Sequence, residues 1–182
     1  MVQSVIQLLA VLTLLSNIGL VVALVLYLSR GVDKKGNKYW KRLVSFIHKK
    51  EIKFALVVSL VATFGSLYLS EVAHFDPCKL CWYQRIFMYP QVFILATALK
   101  EKFQNVFKYA LPLSITGFII AAYHYYFQIS GNPLIPCSAV GFSVSCSQRF
   151  FTYYGYITIP WMSLSAFSLI TFFMLLAKSN KT

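Results

Sequence analysis

Charged residues make up only 12% of the 182-residue sequence, and only five residues are acidic. Soluble domains carry roughly 25% charge, so this chain has too little to cover a water-exposed surface of its size. Glycine and proline are also sparse, at 8 and 6 residues, which excludes collagen-like and low-complexity chains. Four cysteines are too few for a disulfide scaffold. Disorder is excluded by what is abundant instead: 16 Phe, 12 Tyr, 3 Trp and a hydrophobic fraction of 58%. With a mean hydropathy of +0.65, this is the composition of an integral membrane protein. The net charge of +12 then concerns membrane orientation before it concerns nucleic acid.

Five apolar stretches occupy most of the chain: Val5 to Leu28, Phe54 to Ser70, about Trp82 to Leu99, about Tyr109 to Gln128, and Tyr156 to Ala177. Each approaches the ~17–25 residues that span a hydrocarbon core as a helix. The expected fold is an all-α membrane protein, a four-helix transmembrane bundle with an additional N-terminal transmembrane helix. Residues 1–53 would form that accessory helix and a basic cytoplasmic loop, and residues 54–182 the bundle. The first stretch is read as a retained span, because no Lys or Arg precedes it and it is long for a cleaved signal.

The basic residues fall on one side of this arrangement. Arg30 to Lys53 holds nine Lys or Arg, Lys100, Lys102 and Lys108 lie between the third and fourth spans, and Lys178 and Lys181 follow the fifth. The positive-inside rule makes that face cytoplasmic and the N-terminus external. Within the basic loop, Tyr39, Trp40, Leu43, Val44 and Ile47 share a helical face, which reads as a helix lying on the anionic leaflet. A juxtamembrane position favours lipid over nucleic acid as the partner of this charge.

All four cysteines lie on the opposite face, where disulfides persist. Cys78 and Cys81 form a CxxC at the mouth of the third span, and Cys137 and Cys146 lie between the fourth and fifth. A CxxC suits a redox pair or half of a zinc site. The eight-residue gap between Cys137 and Cys146, with only His74 near the CxxC, argues against zinc, and no metal is expected. As a structural staple a CxxC closes too small a loop to stabilise much. Cys81 and Arg85 stand at i and i+4 on one helical face. An arginine inside an apolar span marks a functional site or a side chain snorkelling to the interface. A helix N-terminus and a nearby cation both favour a Cys81 thiolate. Near the outer end of the fourth span His124 and Gln128 form a second i, i+4 pair among Tyr123, Tyr125, Tyr126 and Phe127. A thiolate, a cation, two hydrogen-bonding side chains and flat rings at one depth suit a lipid quinone head group.

The run Cys78-Lys79-Leu80-Cys81-Trp82-Tyr83-Gln84-Arg85 resembles the CxxC-x-x-x-Arg signature of the DsbB/BdbC disulfide bond formation proteins. His124 thirteen residues before Cys137, Cys146-Ser147-Gln148-Arg149, and Gly155 to Trp161 resemble further family segments. The resemblance covers about Phe54 to Ala177. It implies a bacterial plasma-membrane, quinone-dependent dithiol oxidase that reoxidises an extracytoplasmic thioredoxin-fold thiol oxidase of the DsbA/BdbD kind. On this resemblance, Cys137 exchanges with the partner, Cys146 exchanges with Cys78, and Cys81 presents its thiolate to ubiquinone or menaquinone beside Arg85. His124 and Gln128 carry over to the quinone site, and Arg149 to support of the loop or the relay. Gln84 stands where relatives often have an acidic residue, and residues 1–53 lie outside the usual core. A vitamin K epoxide reductase-like protein has similar parts, but its loop pair precedes the CxxC. A non-enzymatic membrane subunit with structural disulfides would neither bind quinone nor oxidise a partner.

Overall fold

The computed structural model describes residues 2–31, 34–131 and 145–179. Among the described residues six α-helices follow one another: α1 (Val2–Ser29), α2 (Lys34–Ile47), α3 (Glu51–Glu71), α4 (Lys79–Lys100), α5 (Phe107–Ser130) and α6 (Ile159–Ser179). The 3₁₀ turn Gln104–Val106 leads into α5. Helices are the natural outcome for apolar runs of this length, because each satisfies its backbone hydrogen bonds within itself. By length and composition α1, α3 and α6 are apolar enough to cross a membrane. The helix in the basic loop is α2, amphipathic as the residue pattern predicts.

The five apolar runs fall on α1, α3, α4, α5 and α6 with ends a few residues apart. The exception is the start of α6. The apolar run begins at Tyr156, yet Tyr153 and Ile157 exchange backbone hydrogen bonds in both directions at 2.9 Å and form a tight turn. Tyr154 and Gly155 take φ of 51° and 79° there, which no helix allows. Helix α6 therefore begins at Ile159, with Pro160 in its first turn, where the missing N–H costs nothing.

Helix α3 packs on α4 and α6, α5 packs on the same two helices, and α1 packs on α2 and α6. The core between them includes Ala55, Met88, Leu95, Ala110, Ala121, Phe167 and Ile170. Close approach of α5 and α6 depends on Gly117, since a Cβ there would collide with the fully buried Phe167 ring. Thr171 of α6 donates to Ser114 of α5 at 3.1 Å, a polar tie inside the apolar contact. Large apolar side chains point outward along the helices, including Phe64, Phe93 and Ile119. At the basic end, Trp40 of α2 meets Tyr27 of α1 edge-on at 5.3 Å, and the Arg30 guanidinium covers Tyr27 at 3.9 Å.

At the other end the loop before α4 and the segment before α6 meet. Phe75 and Phe150 stack with ring centroids 4.6 Å apart. That contact brings the CxxC and Cys146 to the same end of the molecule.

Candidate active site

Cys78 is the N-cap of α4. Its backbone is extended (φ −73°, ψ 170°), and its sulfur takes the place of the usual capping oxygen by accepting the Cys81 N–H at 3.4 Å. The Cys81 thiol also donates to it, at 3.1 Å. His124 Nε2 lies 3.6 Å away on α5. These contacts hold the Cys78 thiol far below its ordinary range, at about 4: the Cys81 hydrogen bond does most, His124 adds to it, and burial opposes both. Both cysteines are free thiols. The sulfur poised to ionise in this dithiol is thus Cys78, whereas the helix-terminus argument favours Cys81. Helix α4 starts at Lys79, so an otherwise free N–H of its first turn, that of Cys81, points at the Cys78 sulfur.

His124 is buried and bridges three elements. Its Nδ1 meets Gln84 Nε2 of α4 at 2.9 Å, and its Nε2 meets the Cys146 carbonyl at 3.1 Å. With the Gln84 amide donating to Nδ1, the ring proton sits on Nε2, facing both the Cys146 carbonyl and the Cys78 sulfur. Gln84, noted in the sequence only for being neutral, is therefore a site residue through its bond to His124. Its partner lies 40 positions away, and no spacing rule connects the two.

Gln128, one turn beyond His124, donates to the Gln148 carbonyl at 3.0 Å. Arg149 in turn donates to the Gln128 carbonyl at 2.7 Å. Arg149 thus caps the C-terminal carbonyls of α5, which suits a cation at that end of a helix dipole. Cys146 is 1% exposed, is disulfide-bonded, and packs in one cluster with Cys78 and Phe127. Cys137 lies outside the described residues.

Arg85 points the other way. Its Nε donates to Ser66 Oγ at 3.0 Å and its Nη2 to the Ser66 carbonyl at 3.1 Å, both on α3. The guanidinium lies 5.2 Å from the Trp82 ring centroid. Two hydrogen bonds to a neighbouring helix fix the orientation of this arginine.

Two cavities meet at the CxxC. The smaller is about 20 Å³ and is lined by Cys78, Cys81, His124, Gln128 and Cys146. That is room for about one water molecule. The larger is about 310 Å³, lies between α1, α3, α4 and α6, and is lined by Asp76, Cys81, Gln84, Arg85 and Tyr89 among mostly apolar side chains. Cys81 and Arg85 therefore share the larger space, while His124 and Gln128 do not line it. Cys78 Sγ, Cys81 Sγ and a His124 nitrogen also lie within 4.8 Å of one another, a set of soft ligand atoms. The third of these is His124; His74, the histidine nearest the CxxC in sequence, is not among them.

A free dithiol with one acidified sulfur, a buried neighbouring cysteine and a histidine between them is equipment for thiol–disulfide exchange. Comparison with known proteins agrees. The family model described as disulfide bond formation protein DsbB matches residues 51–177. The chain belongs to the DsbB family. Over 128 residues it is 46% identical to disulfide bond formation protein C of Bacillus subtilis (strain 168), covering 69% of this chain and 91% of that protein. Over 137 residues it is 38% identical to a probable disulfide formation protein C of Bacillus cereus, covering 73% and 98%. A probable disulfide formation protein of Coxiella burnetii is 39% identical over 126 residues, covering 68% and 84%. No solved structure is significantly similar to the chain. This DsbB-family chain is thus a membrane oxidoreductase of disulfide bond formation. The family match leaves out α1 and α2, which precede residue 51.

Proposed function

We propose that the chain takes electrons from an extracytoplasmic thioredoxin-fold thiol oxidase and passes them through two cysteine pairs to membrane quinone. The observation that carries this reading is the unequal placing of the two CxxC sulfurs. Cys78 lines only a water-sized polar junction with His124 and Cys146, whereas Cys81 lines that junction and also a cavity large enough for a head group. Small-molecule sites are mostly apolar cavities of about 300–1,000 Å³ with a few placed polar groups. The larger cavity, with Arg85, Asp76, Gln84 and Cys81 among mostly apolar walls, fits a flat ring bearing two oxygens and an apolar tail. The smaller one is too small for any ring, so His124 and Gln128 are assigned here to the exchange junction and not to the quinone.

The partner's thiolate attacks Cys137 of a Cys137–Cys146 disulfide and releases Cys146 as a thiolate. The partner's second thiolate resolves the mixed disulfide and leaves the loop pair reduced. Cys146 then attacks Cys78 of the oxidised CxxC and releases Cys81. Attack by Cys137 on Cys146 restores the loop disulfide and leaves Cys78 and Cys81 as a dithiol. His124, held by Gln84, donates from Nε2 to the sulfur that leaves or stays at Cys78. Bound quinone supplies the sink for two electrons and two protons. Arg85, fixed on Ser66, offers its cation to the Cys81 side of the larger cavity.

In this reading five helices cross the bacterial plasma membrane, with α3 to α6 as a bundle and α1 beside it. Helices α4 and α5 have 22 and 24 residues and display outward apolar side chains such as Ile86, Phe93 and Ile119. The cysteines face outside, as does the N-terminus. The decisive assay adds a reduced thioredoxin-fold oxidase and a soluble quinone analogue to the purified chain. Quinone reduction that depends on both the partner and the four cysteines is expected; partner oxidation with no quinone reduced overturns the proposal. Orientation is checked with a membrane-impermeant maleimide on single-cysteine chains in intact cells. Cys137 should label and Ser45→Cys should not, and the reverse pattern contradicts the stated orientation.

A further inference from the structure

Helix α1 belongs to no part of the family match, yet it lines the larger cavity. Leu9, Leu12, Thr13 and Ser16 all face that space, and their i, i+3, i+4, i+7 spacing is one continuous helical face. Helix α1 is tied in place at three levels. Near its start Gln3 Nε2 donates to the Tyr153 hydroxyl at 2.6 Å. At its middle Asn17 Oδ1 accepts from the Ser165 hydroxyl of α6 at 2.7 Å. Between them Leu9 sits directly over Gly65 of α3, where an added Cβ would come within 3.2 Å of Leu9 Cδ2. Polar pairs between helices in apolar surroundings fix register, and a glycine allows the close approach. The hydroxyls of Thr13 and Ser16 bond to carbonyls of α1 itself, at 2.8 Å each, so the wall they form offers the cavity little hydrogen bonding.

We propose that α1 is a wall of the electron-acceptor cavity and that Leu9 sets which quinone ring the cavity admits. The inference rests on the larger cavity being the quinone site. Helices α3, α4 and α6 supply the other walls, with Cys81 and Arg85 among the polar lining. Without α1 the space between α3 and α6 would open sideways to lipid and would accept any ring that could diffuse in. With α1 docked, ring size is limited by the aliphatic side chain over Gly65.

The test uses the full-length chain and two readouts. A photoactivatable azidoquinone is bound to the wild-type protein, illuminated, and the labelled peptides are mapped. Label is expected on the α1 segment from Leu9 to Ser16 as well as on α3, α4 or α6. Steady-state reduction of a benzoquinone and of a bulkier naphthoquinone is then compared across variants. Leu9→Trp should raise the quinone KM at least tenfold while single-turnover oxidation of the dithiol partner stays at the wild-type rate. Leu9→Ala should shift the KM ratio at least threefold toward the naphthoquinone. Leu8→Trp, at a position 58% exposed on the outer face of α1, should change neither. Label confined to α3, α4 and α6 overturns the inference, as does an unchanged KM in Leu9→Trp, and both leave the quinone assignment standing. A wild-type chain that reduces no quinone overturns that assignment and this inference together.

Discussion

The two sulfurs of the CxxC are three residues apart and live in different surroundings. Cys78 is buried at a helix cap, takes two hydrogen bonds from Cys81, and faces His124 and the Cys146 loop across a space of about 20 Å³. Cys81 is partly exposed to a cavity of about 310 Å³ whose polar lining includes Arg85. The contrast teaches how one short motif can join two chemistries. Thiol exchange needs a low-pKa sulfur beside another sulfur and a proton carrier. Transfer to an organic acceptor needs an apolar space with fixed charge at one end. The first turn of α4 keeps Cys78, as its cap, on the exchange side alone, and sets Cys81 between the two spaces with its sulfur 3.1 Å from that of Cys78.

The largest effect should come from removing the sulfur on the acceptor side. Cys81→Ser is expected to abolish multiple turnover with quinone completely, while one equivalent of partner is still oxidised by the loop pair. Quantifying partner disulfide and reduced quinone in the same reaction checks this, and retained turnover would show that the acceptor is reached by another route.

Next in size is the pH behaviour of the exchange side. The Cys78 thiol has an ordinary value of 9.0 and is lowered to about 4 here. A lowered folded-state value stabilises the folded dithiol fully above pH 9, and that stabilisation is lost as pH falls through about 4. Thiolate ultraviolet absorbance of the reduced chain should stay level from pH 8 to pH 5 and decline only near pH 4. In Gln84→Ala the histidine loses its orienting bond, and the decline should move to higher pH. Gln84→Glu should restore it, since a carboxylate on Nδ1 favours the imidazolium. Unmoved titrations in both variants would separate Gln84 from the site.

The smallest effect should be at Arg149. It caps α5 and touches neither cavity, so Arg149→Ala should cost about 0.3–1 kcal/mol of stability. A thermal melt should show a shift of a few degrees, with relay rates unchanged. A large loss of exchange rate instead would place Arg149 in the chemistry.

Much of this comparison was legible in the sequence wherever it depended on local spacing. The Cys81–Arg85 register, the five apolar runs and the amphipathic α2 follow from helical periodicity within one segment. The pairing of Gln84 with His124 joins α4 to α5, and the Arg85–Ser66 anchor joins α4 to α3, so neither has a periodic signature. Which sulfur is held low depends on which residue caps the helix, and hydropathy leaves the start of α4 open by a few positions. The Tyr153–Ile157 turn hid in an apolar run, since its residues are as hydrophobic as the helix that follows. The role of α1 was invisible, because a cavity wall is made by packing between Leu9 and Gly65, 56 positions away.

The most direct test of the division between the two sulfurs compares Arg85→Ala with His124→Ala. Each is measured twice: single-turnover transfer of electrons from the loop pair to the CxxC, followed by rapid quenching and thiol mapping, and single-turnover reduction of a soluble quinone by a pre-reduced CxxC. Loss of one charge-assisted hydrogen bond, about 1.5–3 kcal/mol, corresponds to at least tenfold in rate. Arg85→Ala should lose that factor in quinone reduction only, with Arg85→Lys recovering part of it because it keeps the charge without the planar fork. His124→Ala should lose it in loop-to-CxxC transfer only. Both variants losing both rates equally would contradict the account, because the two sulfurs would then share a single site.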